Sequence, residues 1–109
     1  MQLSDETMRS LLCEVIGGKA KTSHSYEIGK CYLIRSTFHH IGRLVAVTDT
    51  DLVLEGGGWL ADSGRFGECL ANGTYNELEA VPANMRRIVA RNDIIDAFPW
   101  EHPLPTETK

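Results

Sequence analysis

The sequence predicts a mainly β fold, and two stretches of the chain carry that prediction. In residues 42–54 an apolar run reaches a polar turn at Asp49-Thr50-Asp51 and returns as a second apolar run, which is the pattern of a β-hairpin. Residues 88–95 repeat the layout, with Asn92-Asp93 in the place of a tight turn. A chain of 109 residues is long enough to bury a core without disulfides or metals. We therefore expect a single domain over residues 1–109.

Composition and charge exclude several classes of protein. The chain is 42% hydrophobic and 24% charged, which is typical of a globular protein, and no apolar run approaches the roughly 20 residues that cross a bilayer. The polar, acidic start of the sequence differs from a secretory signal, which favours the cytoplasm. A net charge of −4 disfavours nucleic acid as a partner. Cys13, Cys31 and Cys69 match neither a disulfide framework nor a metal knuckle, so we expect buried thiols.

A helix is predicted over residues 4–16. Ser4 can cap this helix, and Gly17-Gly18 would end it. Its apolar side chains recur with helical period and form one stripe: Met8, Leu11, Leu12, Val15 and Ile16. A short amphipathic helix is marginal alone, so we expect the stripe to be covered by the protein's own sheet or by a neighbouring subunit.

Residues 26–98 are predicted to form a small five-stranded barrel. In the first strand-like run, Cys31 and Leu33 face one side while Tyr32 and Ile34 face the other, and Gly42 marks a bend or bulge. The triple glycine that begins at residue 56 is expected to let the backbone leave the sheet, which makes residues 56–73 an insertion. Within it we predict a short helix from residue 62 or 63 to about residue 71, with an apolar pair and a glycine stop: Phe66, Leu70 and Gly73. Later strands are predicted over residues 75–81, 87–91 and 94–98.

Residues 99–109 form a tail that holds three of the four prolines, which favours extended chain. Trp59, after the glycines, is predicted to pack into the core. Trp100 packs either within its own chain or against a neighbouring subunit. The residues predicted to form a subunit interface are Trp100, Pro99 and Leu104 in the tail and Met8 and Leu12 in the first helix.

Catalytic and metal chemistry find little support in the sequence. His39 and His40 are adjacent on a strand and point to opposite faces, so they do not easily bind one ion. The glycine run lacks the lysine and hydroxyl residue of a phosphate-binding loop. Asp62, with Arg65 and Glu68, is best explained as a solvated set of charges, and a hydrolase that pairs Asp62 with a histidine is the least favoured class. We predict no catalytic residue, no cofactor and no metal.

The two hairpin-like stretches also resemble the motifs of the Sm-like fold. Gly42 and Asp49 match the first Sm motif, and residues 88–92 with the following isoleucines resemble the second. Val53 stands where that family carries a base-contacting Asn, and Asn92 replaces its usual Gly. The resemblance spans about residues 28–98 and implies an Sm-like or SH3-like barrel, preceded by a helix, that forms rings through its edge strands.

Longer segments resemble an uncharacterised family of short proteins from tailed-phage genomes: residues 30–35, 42–45, 59–66 and 100–105. That resemblance implies a place in the virion or in the host cytoplasm. We expect a non-enzymatic virion structural or assembly protein, such as a capsid decoration, that binds itself and other virion proteins. The alternative is a ring-forming binder of RNA or a nucleotide signal, whose predicted contact residues are Arg91, Asn92, Asp49 and His40.

Overall fold

The computed structural model describes residues 24–109, in which six antiparallel strands and one short helix follow each other along the chain. The strands are β1 (Cys31–Arg35), β2 (His39–Val47), β3 (Asp51–Asp62), β4 (Glu77–Ala80), β5 (Arg86–Ala90) and β6 (Asp96–Pro99). Helix α1 (Phe66–Asn72) connects β3 to β4, and a 3-10 turn (Arg91–Asp93) connects β5 to β6. The mainly β prediction is confirmed, with six strands rather than five. The helix predicted at residues 4–16, with Met8 and Leu12, lies outside the described residues.

Strand β3 organises the sheet because it is long enough to serve three neighbours. Its one edge pairs with β2, whereas its other edge pairs with β5 near the start of the strand and with β4 near the end. Strand β1 follows β2, and β6 follows β1, which gives the order β4, β3, β2, β1, β6 with β5 beside β4 along β3. No helix in this part of the chain has the length and apolar character needed to span a membrane.

The predicted hairpin of residues 42–54 is present as the β2–β3 pair. Leu44 lies opposite Leu54, and Val47 lies opposite Leu52. The turn is closed by Thr48, whose backbone N–H donates to Asp51 O at 2.9 Å. The register shifts between Ile41 and Arg43, so the irregularity predicted at Gly42 is present, but the extra residue of the bulge lies on β3, where three steps from Glu55 to Gly58 face two steps on β2.

The later pair of runs forms two strands that separate after their turn. β5 pairs with β3, whereas β6 pairs with β1. The 3-10 turn between them is closed by a hydrogen bond from Ile94 N–H to Arg91 O at 3.1 Å. The two strands therefore follow the sequence pattern of a hairpin but do not pair with each other.

The triple glycine corrects one sequence prediction, because it lies inside β3 instead of leading out of the sheet. Gly57 has a positive φ of 72°, and a Cβ added there would lie 1.9 Å from the carbonyl oxygen of Ile41. The missing side chain therefore lets two backbones approach closely. The strand continues to Asp62, so the excursion from the sheet begins only after that residue.

Helix α1 starts later than predicted and ends where predicted. Arg65 occupies the N-cap without a side-chain cap bond, and the Asp62 carboxylate instead accepts from Gly64 N–H at 2.9 Å. Gly73 adopts a φ of 73° and donates its N–H to Cys69 O at 2.8 Å, which is the expected glycine stop. The apolar pair of the helix, Phe66 and Leu70, packs against the core.

Two apolar clusters bury the two faces of the central strands. Leu33 belongs to one cluster and its neighbour Ile34 to the other, which confirms the alternation predicted for β1. The helix-side cluster contains Leu33, Ile41, Leu60, Cys69, Leu78 and Trp100. The turn-side cluster contains Ile34, Leu44, Leu52, Leu54 and Val89.

The tail beyond Pro99 has no regular structure, as predicted, but it is bound to its own domain. Trp100 is only 4% exposed and belongs to the helix-side cluster. Lys109 exchanges two backbone hydrogen bonds of 2.9 Å with Leu78 of β4. Trp100 therefore packs within its own chain, which is one of the two alternatives that the sequence left open, and almost none of its surface is left for a neighbouring subunit.

Candidate functional site

The outer edges of the sheet differ in how well they are covered. Along β4 the edge is occupied by Lys109, which pairs with Leu78, and by the Thr108 hydroxyl, which accepts from Ala80 N–H at 3.1 Å. In β6 the last residue is Pro99, which has no N–H to offer a further strand. Tail and proline are both common means of blunting a sheet edge. Neither protects β5.

The edge of β5 is open in the described part of the chain, where β5 pairs with β3 alone. Gly56 N–H donates to Met85 O, and Arg91 N–H donates to Thr50 O, at 3.0 and 2.8 Å. These two bonds fix the alternation of an antiparallel ladder: Arg87 and Val89 bond inward to β3. The backbone groups of Arg86, Ile88 and Ala90 therefore point away from the sheet.

Ile88 makes this edge apolar as well as open. Its side chain is 72% exposed and lies opposite the half-buried Val53 of β3. Arg86 donates to Glu55 at 3.3 Å on the same face, so its charge is balanced within the chain. The sequence placed Ile88 in a strand, but it gave no indication that Val89 faces the core and Ile88 the solvent.

The predicted interface residues of the tail are placed mostly inside the domain. Trp100 Nε1–H donates to Pro103 O at 3.3 Å, and its ring lies 4.9 Å from that of His102. Leu104 is half-buried against the helix-side cluster. Of these tail residues, Pro99 is exposed.

Three of the four residues predicted for nucleotide binding meet at one cleft. Asp49, Arg91 and Asn92 line a cleft of about 370 Å³, whereas His40 does not. Arg91 Nη1–H donates to Thr48 O at 2.8 Å and thereby holds the β2–β3 turn. The carboxylates of Asp49 and Asp51 lie in the same cleft, so its charge is poorly suited to a phosphate.

His40 and Arg87 are two half-buried polar residues close to each other, which the sequence did not indicate. Burial and, to a lesser extent, the nearby Arg87 cation lower the pKa of His40 from 6.5 to about 4. The Arg87 guanidinium donates to Gly56 O at 2.7 Å and to Ile41 O at 3.2 Å, and burial lowers its pKa. His40 Nδ1 and Arg87 Nε are buried with no hydrogen-bond partner among residues 24–109. The sequence held one indication that Arg87 faces inward: residues of a strand alternate between faces, so Arg87 shares the face of Val89 and not that of Ile88.

Ion pairs connect neighbouring strands of the sheet. Arg35 binds Asp96 through two bonds of 2.7 and 2.6 Å, which ties β1 to β6 and lowers the pKa of Asp96. Glu55 accepts from Arg43 and from Arg86, which lowers the pKa of Glu55 and joins β2, β3 and β5. These charges satisfy each other within the chain.

The aromatic side chains correct a second prediction. Trp59 is 41% exposed rather than buried, and it packs edge-on against the exposed Phe38 with ring centroids 5.0 Å apart. It lies on β3 next to Leu60, which takes the place in the core. Adjacent residues of a strand face opposite sides, and at this part of β3 the helix-side cluster covers only the side of Leu60.

The side chains that could act as nucleophiles or metal ligands are dispersed over the described residues. Cys31 and Cys69 are free thiols whose pKa is raised by burial. The His39 ring nitrogen Nδ1 contacts Ser36 O at 3.1 Å. Within residues 24–109, no group of three His, Cys, Asp or Glu side chains is placed to hold a metal ion.

Comparison of the chain with known protein families, with curated proteins and with solved structures gives no match.

Proposed function

We propose that this protein is a non-enzymatic, self-associating component of a phage virion or of its assembly. The observation that carries the proposal is the contrast between the sheet edges within residues 24–109: the tail covers β4 and Pro99 blunts β6, whereas β5 presents open backbone groups beside the exposed Ile88. An open apolar edge in a folded domain is a template for pairing with another chain. A second copy is always present at the same concentration, which makes self-association the simplest use of this edge.

The proposal includes closure of the sheet into a small Sm-like or SH3-like barrel. Support comes from the strand order β6, β1, β2, β3, β5, in which the first and last strands are joined by a 3-10 turn. Strand β3 changes neighbour from β5 to β4 at its glycines, as a strongly bent strand would. The turn-side cluster would fill such a barrel.

The phage assignment rests on the resemblance of residues 59–66 and 100–105 to short tailed-phage proteins. The same proposal places the protein in the virion or in the host cytoplasm, with itself and other virion proteins as partners. Purified phage particles should contain the chain at a fixed number of copies, measured by quantitative mass spectrometry. A protein that stays monomeric in solution and is missing from the particles would disprove the proposal.

A binder of RNA or a nucleotide signal is the second candidate, supported by the cleft that joins Asp49, Arg91 and Asn92. If the cleft binds a phosphate through Arg91, Arg91→Ala should weaken binding of short RNAs or cyclic nucleotides at low salt by about tenfold or more. Arg65→Ala, which changes an exposed arginine outside the cleft, is the matched control. Equal binding by both variants, or no binding by the wild-type chain, would exclude this candidate.

A further inference from the structure

We infer that two copies of this chain pair through β5 around a two-fold axis at Ile88, so that the sheets of both copies become continuous. The inference rests on the proposed self-association and specifies its interface. It also predicts a closed dimer instead of a ring.

The backbone pattern of β5 is complementary to itself. Arg86, Ile88 and Ala90 each direct an N–H and a C=O away from β3, and none of them is a proline. If Ile88 lies opposite Ile88 of the second copy, Arg86 lies opposite Ala90 on both sides of the axis. Each outward donor then meets an outward acceptor, as an antiparallel ladder requires.

Charge selects this register over its neighbours. A shift of the pairing by two residues in one direction places Arg87 opposite Arg87 of the second copy, and a shift in the other direction places Arg87 opposite Arg91. Like charges directly opposite each other destabilise a strand pair. With Ile88 on the axis, Arg87 faces Val89 and no arginine faces another.

The side chains on the solvent face complete the interface. Val53 lies opposite Ile88 within one copy, so the two-fold pairing would align Val53, Ile88 and their two equivalents in one apolar strip. On each side this strip is bordered by the pair of Arg86 and Glu55. The most exposed part of Ile88 would thus be covered without burying an unpaired charge.

Strand β6 is a poorer partner for β5, which argues against a head-to-tail ring. Pro99 lacks an N–H, and Ile95 N–H already donates to Arg35 O at 2.8 Å. Ala97 is left as the outward donor of that strand. A closed two-fold pair therefore uses the edge groups better than a ring does.

Cysteine cross-linking tests this geometry. In the proposed pair the two Cα atoms at position 88 lie roughly 5.5 Å apart, within the range that a disulfide spans. Ile88→Cys should give a covalent two-chain product on mild oxidation. Ile95→Cys is the matched control, because Ile95 is 71% exposed and Ile88 72%, and it should give no more product than the wild-type chain.

A second variant tests the same interface without an introduced thiol. Ile88→Lys places like charges at the axis and should weaken self-association by about tenfold or more in sedimentation, whereas Ile95→Lys should not. Cross-linking of Ile95→Cys as fast as Ile88→Cys, or association that Ile88→Lys leaves unchanged, would overturn the two-fold interface. In that case self-association itself would still stand, whereas a wild-type chain that remains monomeric would disprove both proposals.

Discussion

At the scale of single residues, burial determines the charge state and the hydrogen-bond partners of polar side chains in this small domain. The pKa of His40 is lowered because burial and the Arg87 cation disfavour its charged form. Arg87 remains beside it, bound to backbone carbonyls of Gly56 and Ile41 instead of to a carboxylate. Arg87 thus links β5 to the backbones of β3 and β2.

The lowered pKa of His40 predicts that acid weakens the fold. Because the folded state binds this proton only near pH 4 and a free histidine binds it near 6.5, the unfolded state gains more protons as the pH falls below 6.5. The free energy of unfolding should therefore decrease through that range. Denaturant titrations at pH values above 4.5, the ordinary pKa of Glu55, should show a shallower decrease for His40→Gln than for wild type. His24→Gln, at an exposed position, should keep the wild-type slope, and a wild-type slope in His40→Gln would contradict the prediction.

The two tryptophans predict opposite outcomes of the same substitution. Trp100→Ala should lower the free energy of unfolding by about 3 to 5 kcal/mol, because it empties part of the helix-side cluster. Trp59→Ala removes a half-exposed ring and should cost about 1 kcal/mol. Urea unfolding of both variants measures the difference. Equal losses would mean that Trp100 is not the core residue.

The sequence placed Trp59 in the core and left the surroundings of Trp100 open, and the reason is physical. Local sequence predicts that a ring near glycines or prolines is anchored somewhere, but burial depends on which face a distant strand covers. For Trp100 that cover comes from helix α1, Leu60 and Leu78. The alternation of β1 was predictable because both of its faces are buried by nearby elements.

Among the elements, β3 depends most on its glycines. Gly57→Ala should destabilise the protein by about 3 kcal/mol or more, because the new Cβ would overlap Ile41 O at a positive φ. Gly67 lies in helix α1 with open space around it, so Gly67→Ala should stabilise the fold by about 0.5 to 1 kcal/mol. Thermal and urea unfolding of the pair will test this. A neutral Gly57→Ala would show that β3 does not need the close approach.

The tail is an element of the sheet although it forms no strand of its own. Removal of residues 106–109 deletes the backbone bonds between Lys109 and Leu78 and uncovers the edge of β4. We expect the shortened chain to keep its circular dichroism spectrum but to aggregate faster on warming, measured by light scattering. Lys109→Ala keeps the backbone and should behave as wild type. Faster aggregation of Lys109→Ala as well would assign the effect to the side chain.

At the scale of elements, the sequence predicted which strands form better than it predicted which strands pair. Period-two alternation and turn residues located the β2–β3 hairpin and strands β4, β5 and β6 to within a few residues, apart from the glycine-rich half of β3, but they did not separate β1 from β2. They did not indicate that β5 joins β3 while β6 joins β1, because pairing depends on contacts remote in sequence. The open edge of β5 follows from that pairing, so the candidate site was not predictable from local patterns.

In the molecule as a whole, the two apolar clusters and the ion pairs are formed within the domain. Among the described residues, one sheet edge, that of β5, has no cover. The exposed Ile88 lies in the middle of that edge. A chain of this kind is expected to be stable by itself and to associate by adding strands to its sheet. The N-terminal stripe of Met8 and Leu12 remains a sequence prediction that could add to such an interface.

Sedimentation equilibrium of the full-length chain over a wide range of concentrations tests self-association most directly. The two-fold pairing predicts that the mass rises from 12.1 kDa at high dilution to twice that value and then stays constant. A mass that remains at 12.1 kDa at every concentration would contradict the account.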